Sequence, residues 1–278
     1  MGMLEGKVAF ITGAARGQGR SHALRMAQEG ADIIAIDLCG QIDTVPYPMA
    51  TPEDLAETVR QVEALDRRIV ATQADVRDGA ALKAAVDDGV AQLGKLDIVS
   101  ANAGIASYGP VEELTDEVWD DMLATNLSGV FKTARAAIPH LKANPDGGAV
   151  ILTSSTAGIM GIANAGHYVA AKHGVVGLMK VLALELAPHM IRVNSVHPTT
   201  VNTDMIANQG TYDLFRPDMA AGTATADDAQ QAFLSLNLLP IRWVDPVDIS
   251  NAVVWLASDM ARYVTGVQLP VDAGSVIK

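Results

Sequence analysis

The sequence predicts an α/β fold, a doubly wound parallel sheet in three α/β/α layers. Three observations carry this. Short apolar runs alternate with longer helical patterns along the chain. The apolar runs are continuous rather than alternating, as suits strands covered on both faces. No Ser/Gly-rich linker, internal repeat or low-complexity tract interrupts the rhythm, so one domain over residues 1–278 is the simplest reading.

The runs KVAFIT, ADIIAID, RIVATQAD, LDIVSAN, AVILTSS, IRVNSV and VQLPVD read as seven strands in chain order. Helical patterns lie near 17–29, 52–66, 78–93, 115–143, 164–187 and 246–258. Such βαβ alternation implies right-handed crossovers.

Two segments break the rhythm. After the second strand comes DLCGQIDTVPYPMATPED, an insertion over 39–50. The next helix opens at Thr51, an N-cap followed by Pro52 and the acids Glu53 and Asp54. Connections in α/β units are usually shorter than this one, and longer ones tend to be functional or disordered. The second segment, Thr199 to Asp245, holds MIANQ, YDLF and AQQAFLSLNLL, expected to be short helices of a substrate lid. Ligands of open α/β sheets sit beyond the carboxyl ends of the strands. Both segments leave from such ends, so both should overlook the binding crevice.

Composition narrows the partners. Of 278 residues, 49% are hydrophobic and 19% charged, enough for a large core. A formal charge of −12 argues against nucleic acid and against an anionic membrane surface. The single cysteine permits no intrachain disulfide, which fits a reducing, cytoplasmic location. The N-terminal residues show no signal-peptide pattern, Gly6 breaks a myristoylation motif, and no uncharged apolar run reaches membrane-span length. Six histidines with no HExxH or Cys/His pairing argue against a zinc site.

Gly13, Gly17 and Gly19 lie in ITGAARGQGRSHA, between a strand and a helix. Glycine permits a tight turn close to a phosphate, and the helix N-terminus offers free N–H groups. Asp37 ends the second strand, where a carboxylate can accept both hydroxyls of an adenosine ribose and repel a 2′-phosphate. This context makes the fold Rossmann-type and favours NAD. Arg16 could instead pair with a 2′-phosphate, favouring NADP, or be a solvated loop cation.

Tyr168 and Lys172 are four apart on a predicted helix and share one face. A free phenol has a pKa of about 10, and a nearby ammonium would lower it towards a useful base. Thirteen residues before the tyrosine, ILTSS closes a strand. A hydroxyl there could hold a substrate oxygen against the phenol. His167 reads as packing or rim, Cys39 as a loop thiol, and Asp116, Glu117, Asp120 and Asp121 as a solvated helix face.

At these residues the chain resembles the short-chain dehydrogenases/reductases. TGAARGQG resembles TGxxxGxG, SANAG resembles NNAG with Ala101 in place of the first Asn, and ATNLSGVF carries the family's asparagine at Asn126. Ser155, Tyr168 and Lys172 match the Ser–Tyr–Lys set, Ser155 rather than Ser154 having the family spacing. RVNSVHPTTVNT matches RVNxxxPGxVxT with Thr199 in place of Gly, and VTGVQLPVDAG resembles the last strand. The resemblance implies further cofactor contacts at Gln18, Leu38, Asp75, Val76, Asn102, Ala103, Gly104, Pro198, Val201 and Thr203, besides Tyr168 and Lys172. The insertion and HPTTVNT are also similar to the mycofactocin-coupled subfamily, which includes carveol dehydrogenases. There the insertion is thought to cover NAD, which an external redox carrier reoxidises. Here it would act as a clasp over the adenosine end, with Tyr47 and Met49 covering the adenine. An ordinary surface excursion and a subunit contact remain as other readings.

The expected reaction interconverts a secondary alcohol and a ketone. Tyr168 is the base, Ser155 holds the oxygen, and Lys172 lowers the tyrosine pKa and meets the nicotinamide ribose. Asn126 positions a water. Met205, Ile206, Leu214, Phe215 and Phe233, with Ile159, Met160 and Tyr108, suggest an apolar cyclic or terpenoid alcohol such as carveol. The family resemblance implies a homotetramer. A carbonyl reductase with freely exchanging NAD(P)H and a non-catalytic NAD-binding sensor remain as alternatives.

Overall fold

The computed structural model describes residues 2–278. All seven expected strands form one parallel sheet. They are β1 (Val8–Thr12), β2 (Asp32–Asp37), β3 (Ile69–Gln73), β4 (Ile98–Ala101), β5 (Gly148–Thr153), β6 (Ile191–Pro198) and β7 (Gln268–Val271). Their spatial order is β3-β2-β1-β4-β5-β6-β7. The order reverses between β1 and β4, which opens a crevice beyond their carboxyl ends.

Within each central strand the side chains alternate between two cores. Val8 and Phe10 of β1 face one, with α3 (Gly79–Leu93), α5 (Gly129–Ala143) and α6 (Gly166–Leu186). Ala9 and Ile11 face the other, with α1 (Gly17–Gln28), α2 (Pro52–Glu63) and α9 (Pro246–Ala257). Both faces being covered explains why β1, β4 and most of β5 and β6 are buried without alternation. The edge strands β3 and β7 are half-exposed, because only one side has a neighbouring strand. Pro270 is tolerated at that edge.

The helix expected at Thr51 starts there. Its hydroxyl accepts from the Asp54 amide, and the Asp54 carboxylate accepts from the Thr51 amide at 2.9 Å. The long helix expected over 115–143 forms without a break over Asp116–Ala143 and carries one π-turn within it. The π-turn, at Ala124–Ser128, joins α4 (Asp116–Leu123) to α5. It turns Asn126 inward to the end of β4. In the lid, MIANQ is mostly turn rather than helix. The lid's helices are α7 (Gln209–Phe215) and α8 (Gln230–Leu236).

The 39–50 insertion packs against the body. Ile42, Val45 and Tyr47 are buried with Ile105, Ala106 and Met122, and Leu38, Met49, Tyr108, Tyr168 and Met205 pack on that cluster. No described helix is long and apolar enough to cross a membrane.

Candidate active site

The turn after β1 is built for close approach. Gly13 has φ 68°, and a Cβ there would come within 2.8 Å of the Ala103 Cα. A Cβ on Gly19 would meet the Gly13 carbonyl oxygen at 1.9 Å, so Gly19 seats α1 on the turn and does not itself line the groove. The Thr12 hydroxyl accepts from the amides of Asn102 and Ala103, both at 3.1 Å, stitching the ends of β1 and β4 together. Sequence reasoning passed over Thr12, although it stands in the same TG pair. No side chain caps the start of α1, which leaves its first N–H groups free for an anion.

The resulting groove has a volume of about 910 Å³ including its mouth. Gly13, Arg16, Gly17, Gln18, Asp37, Leu38, Asp75, Val76, Asn102, Ala103, Gly104 and Thr203 line it. A second cavity continues from it and is lined by Ser155, Tyr168, Lys172, Pro198, Val201 and Thr203, with Gln18, Asn102 and Gly104 shared between the two. Ile105 and Asp204 also line the groove and were not among the expected residues. Neither belongs to a recognisable motif.

These residues fit a dinucleotide. The two oxygens of Asp37 each accept one backbone N–H, from Ala15 at 3.0 Å and Cys39 at 3.1 Å, which leaves lone pairs for hydroxyl donors. The buried Gln18 Oε1 has no partner in the protein. Arg16 lines the groove and is not a free loop cation. It pairs with Asp204 at 3.0 Å and donates to the Pro48 carbonyl. The acid at the end of β2 favours a ribose without a 2′-phosphate.

The insertion crosses the groove and is fastened at several points. Thr44 donates to Asp121 at 2.8 Å, and Arg77 pairs with the same carboxylate at 2.8 Å, so Asp121 is an anchor rather than part of a solvated face. The Gln41 amide bonds the Ile42 and Val45 carbonyls at 3.0 and 3.1 Å, gathering the loop on itself. The Tyr47 hydroxyl accepts from the Ala106 amide at 3.1 Å. Tyr47 and Met49 line the same groove as Asp37 and Leu38, and Tyr168 packs on the cluster that holds Tyr47. Cys39 is buried, and burial with the nearby Asp37 charge pushes its thiol up to about 12, which leaves it inert.

On α6, Tyr168 and Lys172 share a face. The Lys172 ammonium is 5.5 Å from the centre of the Tyr168 ring and donates to the Thr153 carbonyl at 2.9 Å. Burial lowers Lys172 to about 8. Burial also raises Tyr168, opposed by a hydrogen bond with the Ser155 side chain. The expectation that Lys172 draws the phenol down is not met by the protein alone. Desolvation is the largest influence on both groups. Both serines border the cavity, but Ser154 is buried and its hydroxyl donates to the Lys172 carbonyl at 3.0 Å, whereas Ser155 is the more exposed of the two.

Asn126 sits behind the wall rather than in the cavity. Its amide oxygen accepts from the Ile105 N–H at 2.8 Å, and its nitrogen donates to the Ile105 carbonyl at 2.8 Å. Of the apolar residues expected around a substrate, Met205 and Ile206 line the cavity with Ser155 and Tyr168. Tyr108 packs in the insertion's cluster beside Tyr168. Burial pushes its phenol up to about 12, against a hydrogen bond with Thr211 of the lid. Leu214 of α7 does not line the cavity. Phe233 is fully buried with its ring 4.8 Å from Phe215 and 5.6 Å from Trp243, so that pair forms the lid's own core. Ile159 and Met160 are exposed and line neither cavity. His167 is buried with Nε2 2.8 Å from Ser107, a packing role.

A switch-point crevice, a glycine turn and a tyrosine–lysine pair beside a strand-end serine define a dinucleotide-dependent oxidoreductase. The chain belongs to the short chain dehydrogenase family, whose model it matches over residues 7–213. It is 53% identical to (−)-trans-carveol dehydrogenase from Rhodococcus erythropolis, over 100% of both chains. A crystal structure of carveol dehydrogenase from Mycobacterium avium in complex with NAD is 57% identical and matches with a TM-score of 0.98 over 100% of both chains. A short chain dehydrogenase from Mycobacterium paratuberculosis bound to NAD is 48% identical, with a TM-score of 0.90 and 100% coverage of both.

Proposed function

We propose that the protein is an NAD-dependent alcohol dehydrogenase that oxidises an apolar cyclic or terpenoid secondary alcohol such as carveol to its ketone. The whole chain works as one dinucleotide-binding unit in a reducing cytoplasm. The observation that carries the finer reading is the 39–50 insertion, fastened across the groove by Arg16, Asp121 and Ala106. Such a strap suits a cofactor that is retained between turnovers. An external redox carrier of the mycofactocin type then restores its oxidised form.

NAD, when bound, supplies the hydride acceptor. Asp37 would hold the adenosine ribose, and the turn from Gly13 to Gly19 with the start of α1 would hold the pyrophosphate. Asn102 to Gly104, and Pro198, Val201 and Thr203, would border the reacting end, with Lys172 on the second ribose. Tyr168 takes the alcohol proton in its phenolate form. Ser155 donates to the substrate oxygen and steadies the charge that develops there. Asn126 keeps the Ile105 peptide in place. Met205 and Ile206 exclude water around the carbinol carbon and prefer an apolar substrate. Exposed Trp119, Phe131, Val181 and Leu184 suit burial between subunits of a homotetramer.

The test uses purified protein with no cofactor added. It is dialysed exhaustively, denatured and assayed for NAD by mass, and the folded protein is offered carveol with and without an artificial electron acceptor. Near-stoichiometric NAD and turnover only with the acceptor are expected. Empty protein that turns over on added NAD would keep the dehydrogenase and discard the retained cofactor.

A further inference from the structure

Ser155 stands one step beyond the sheet. The β5–β6 ladder ends with Thr153 opposite Val196, and its last hydrogen bond runs from the Ser154 amide to the Val196 carbonyl at 2.9 Å. The two residues before Ser155 are tied to Lys172, through the Thr153 carbonyl and the Ser154 hydroxyl. Past the ladder, the Ser155 carbonyl accepts from the Gly158 amide at 2.9 Å and from His197 Nδ1 at 2.7 Å.

His197 lies on β6, fully buried, and touches neither cavity. Its tautomer follows from its partners. A carbonyl can only accept, so Nδ1 carries the proton. Nε2 is then an acceptor for the Ser195 hydroxyl at 2.8 Å. Burial holds the ring below its ordinary pKa, which keeps it neutral with a single proton to place. At Ser155 the side-chain oxygen accepts from the Ala157 amide at 3.1 Å. That contact fixes the oxygen on one side, and the hydroxyl faces the cavity that Tyr168 also lines. Rotation of the Ser155 peptide would shift the Ala157 donor and re-aim the hydroxyl.

We infer that His197 is a positioning residue for the reaction: its Nδ1–H clamps the Ser155 peptide where the ladder has run out, and so aims the Ser155 hydroxyl at the substrate oxygen. Ser195 holds the ring in the tautomer that does this. The inference rests on the proposed role of Ser155.

The experiment compares two amides that copy different ring nitrogens. His197→Asn places an N–H near Nδ1, whereas His197→Gln places its amide near Nε2. Both are measured for kcat and KM with carveol and for retained NAD, beside Ser155→Ala and the Ser155→Ala/His197→Gln double variant. His197→Gln is expected to lower kcat about ten- to a hundredfold, the scale of a small misplacement of a reacting group. KM and NAD content should stay within about twofold, as for an interaction felt only in the transition state. His197→Asn should recover kcat to within a few-fold of the parent. The double variant should be no slower than Ser155→Ala, because His197 acts through Ser155. Equal losses in the two amides, loss of NAD together with kcat, or additive losses in the double variant would each overturn the inference. Undiminished turnover in Ser155→Ala would instead overturn the proposed role of Ser155, whatever His197 does.

Discussion

Arg16 and Asp204 are separated by most of the sheet in sequence, yet their charges meet at 3.0 Å across the mouth of the cofactor groove. The same guanidinium donates to the Pro48 carbonyl of the insertion. One side chain of the phosphate-binding turn thus joins the strap on one side to the lid on the other.

This link predicts the kinetics of cofactor exchange. Asp204 is largely exposed, so the ion pair alone is worth at most about 1 kcal/mol. Asp204→Asn should therefore speed NAD dissociation by no more than about fivefold. Arg16→Ala removes the Pro48 contact as well and should exceed it. Release of bound isotopically labelled NAD into excess unlabelled NAD measures both rates. Unchanged release in Arg16→Ala would show that the link does not limit opening.

The strap should also contribute to stability through Tyr47. Replacing Tyr47 with Phe leaves the buried Ala106 N–H without its acceptor. The cost of such an orphan is about 1–3 kcal/mol. Thermal unfolding of the NAD-loaded protein should register a fall of several degrees, and a Tm equal to the parent's would show that another acceptor replaces the phenol.

Turnover should depend on Tyr168 and on alkaline pH. Tyr168→Phe is expected to lower oxidation roughly 10²- to 10⁴-fold while NAD content is unchanged. Oxidation needs the phenolate, and burial raises the Tyr168 pKa, so the neutral phenol dominates near neutrality. The rate of the chemical step should climb as pH rises. A single-turnover rate that falls with rising pH would contradict this assignment.

Cofactor choice should turn on Asp37. Asp37→Ala removes an acceptor for ribose hydroxyls and a charge that repels phosphate. At about 1.5–3 kcal/mol for a hydrogen bond to a charged group, NAD affinity should drop at least tenfold. NADP binding should improve relative to NAD. Titration of cofactor-stripped protein with each nucleotide reads both, and an unchanged ratio would remove Asp37 from the discrimination.

The periodicity of the chain determined the seven strands, their parallel pairing and the α/β/α layering, because continuous apolar runs joined by helices have few other ways to bury themselves. Local spacing was sufficient for Tyr168 over Lys172 and for the glycine turn, since both lie within a few residues of one element. Three-dimensional packing decided the remainder. Nothing near Arg16 in sequence announces Asp204 and Pro48. Nothing in the acidic run at 116–121 separates Asp121, which anchors Thr44, from its neighbours. Helical periodicity does not announce the π-turn that holds Asn126, nor the bonds of Asn126 to the Ile105 backbone. Phe233 looks like a substrate wall by composition but fills the lid's own core. Ionisation was equally a tertiary matter. Spacing brings an ammonium to a phenol, but the depth at which α6 is buried sets both pKa shifts, and desolvation at that depth outweighs what four residues of helix imply.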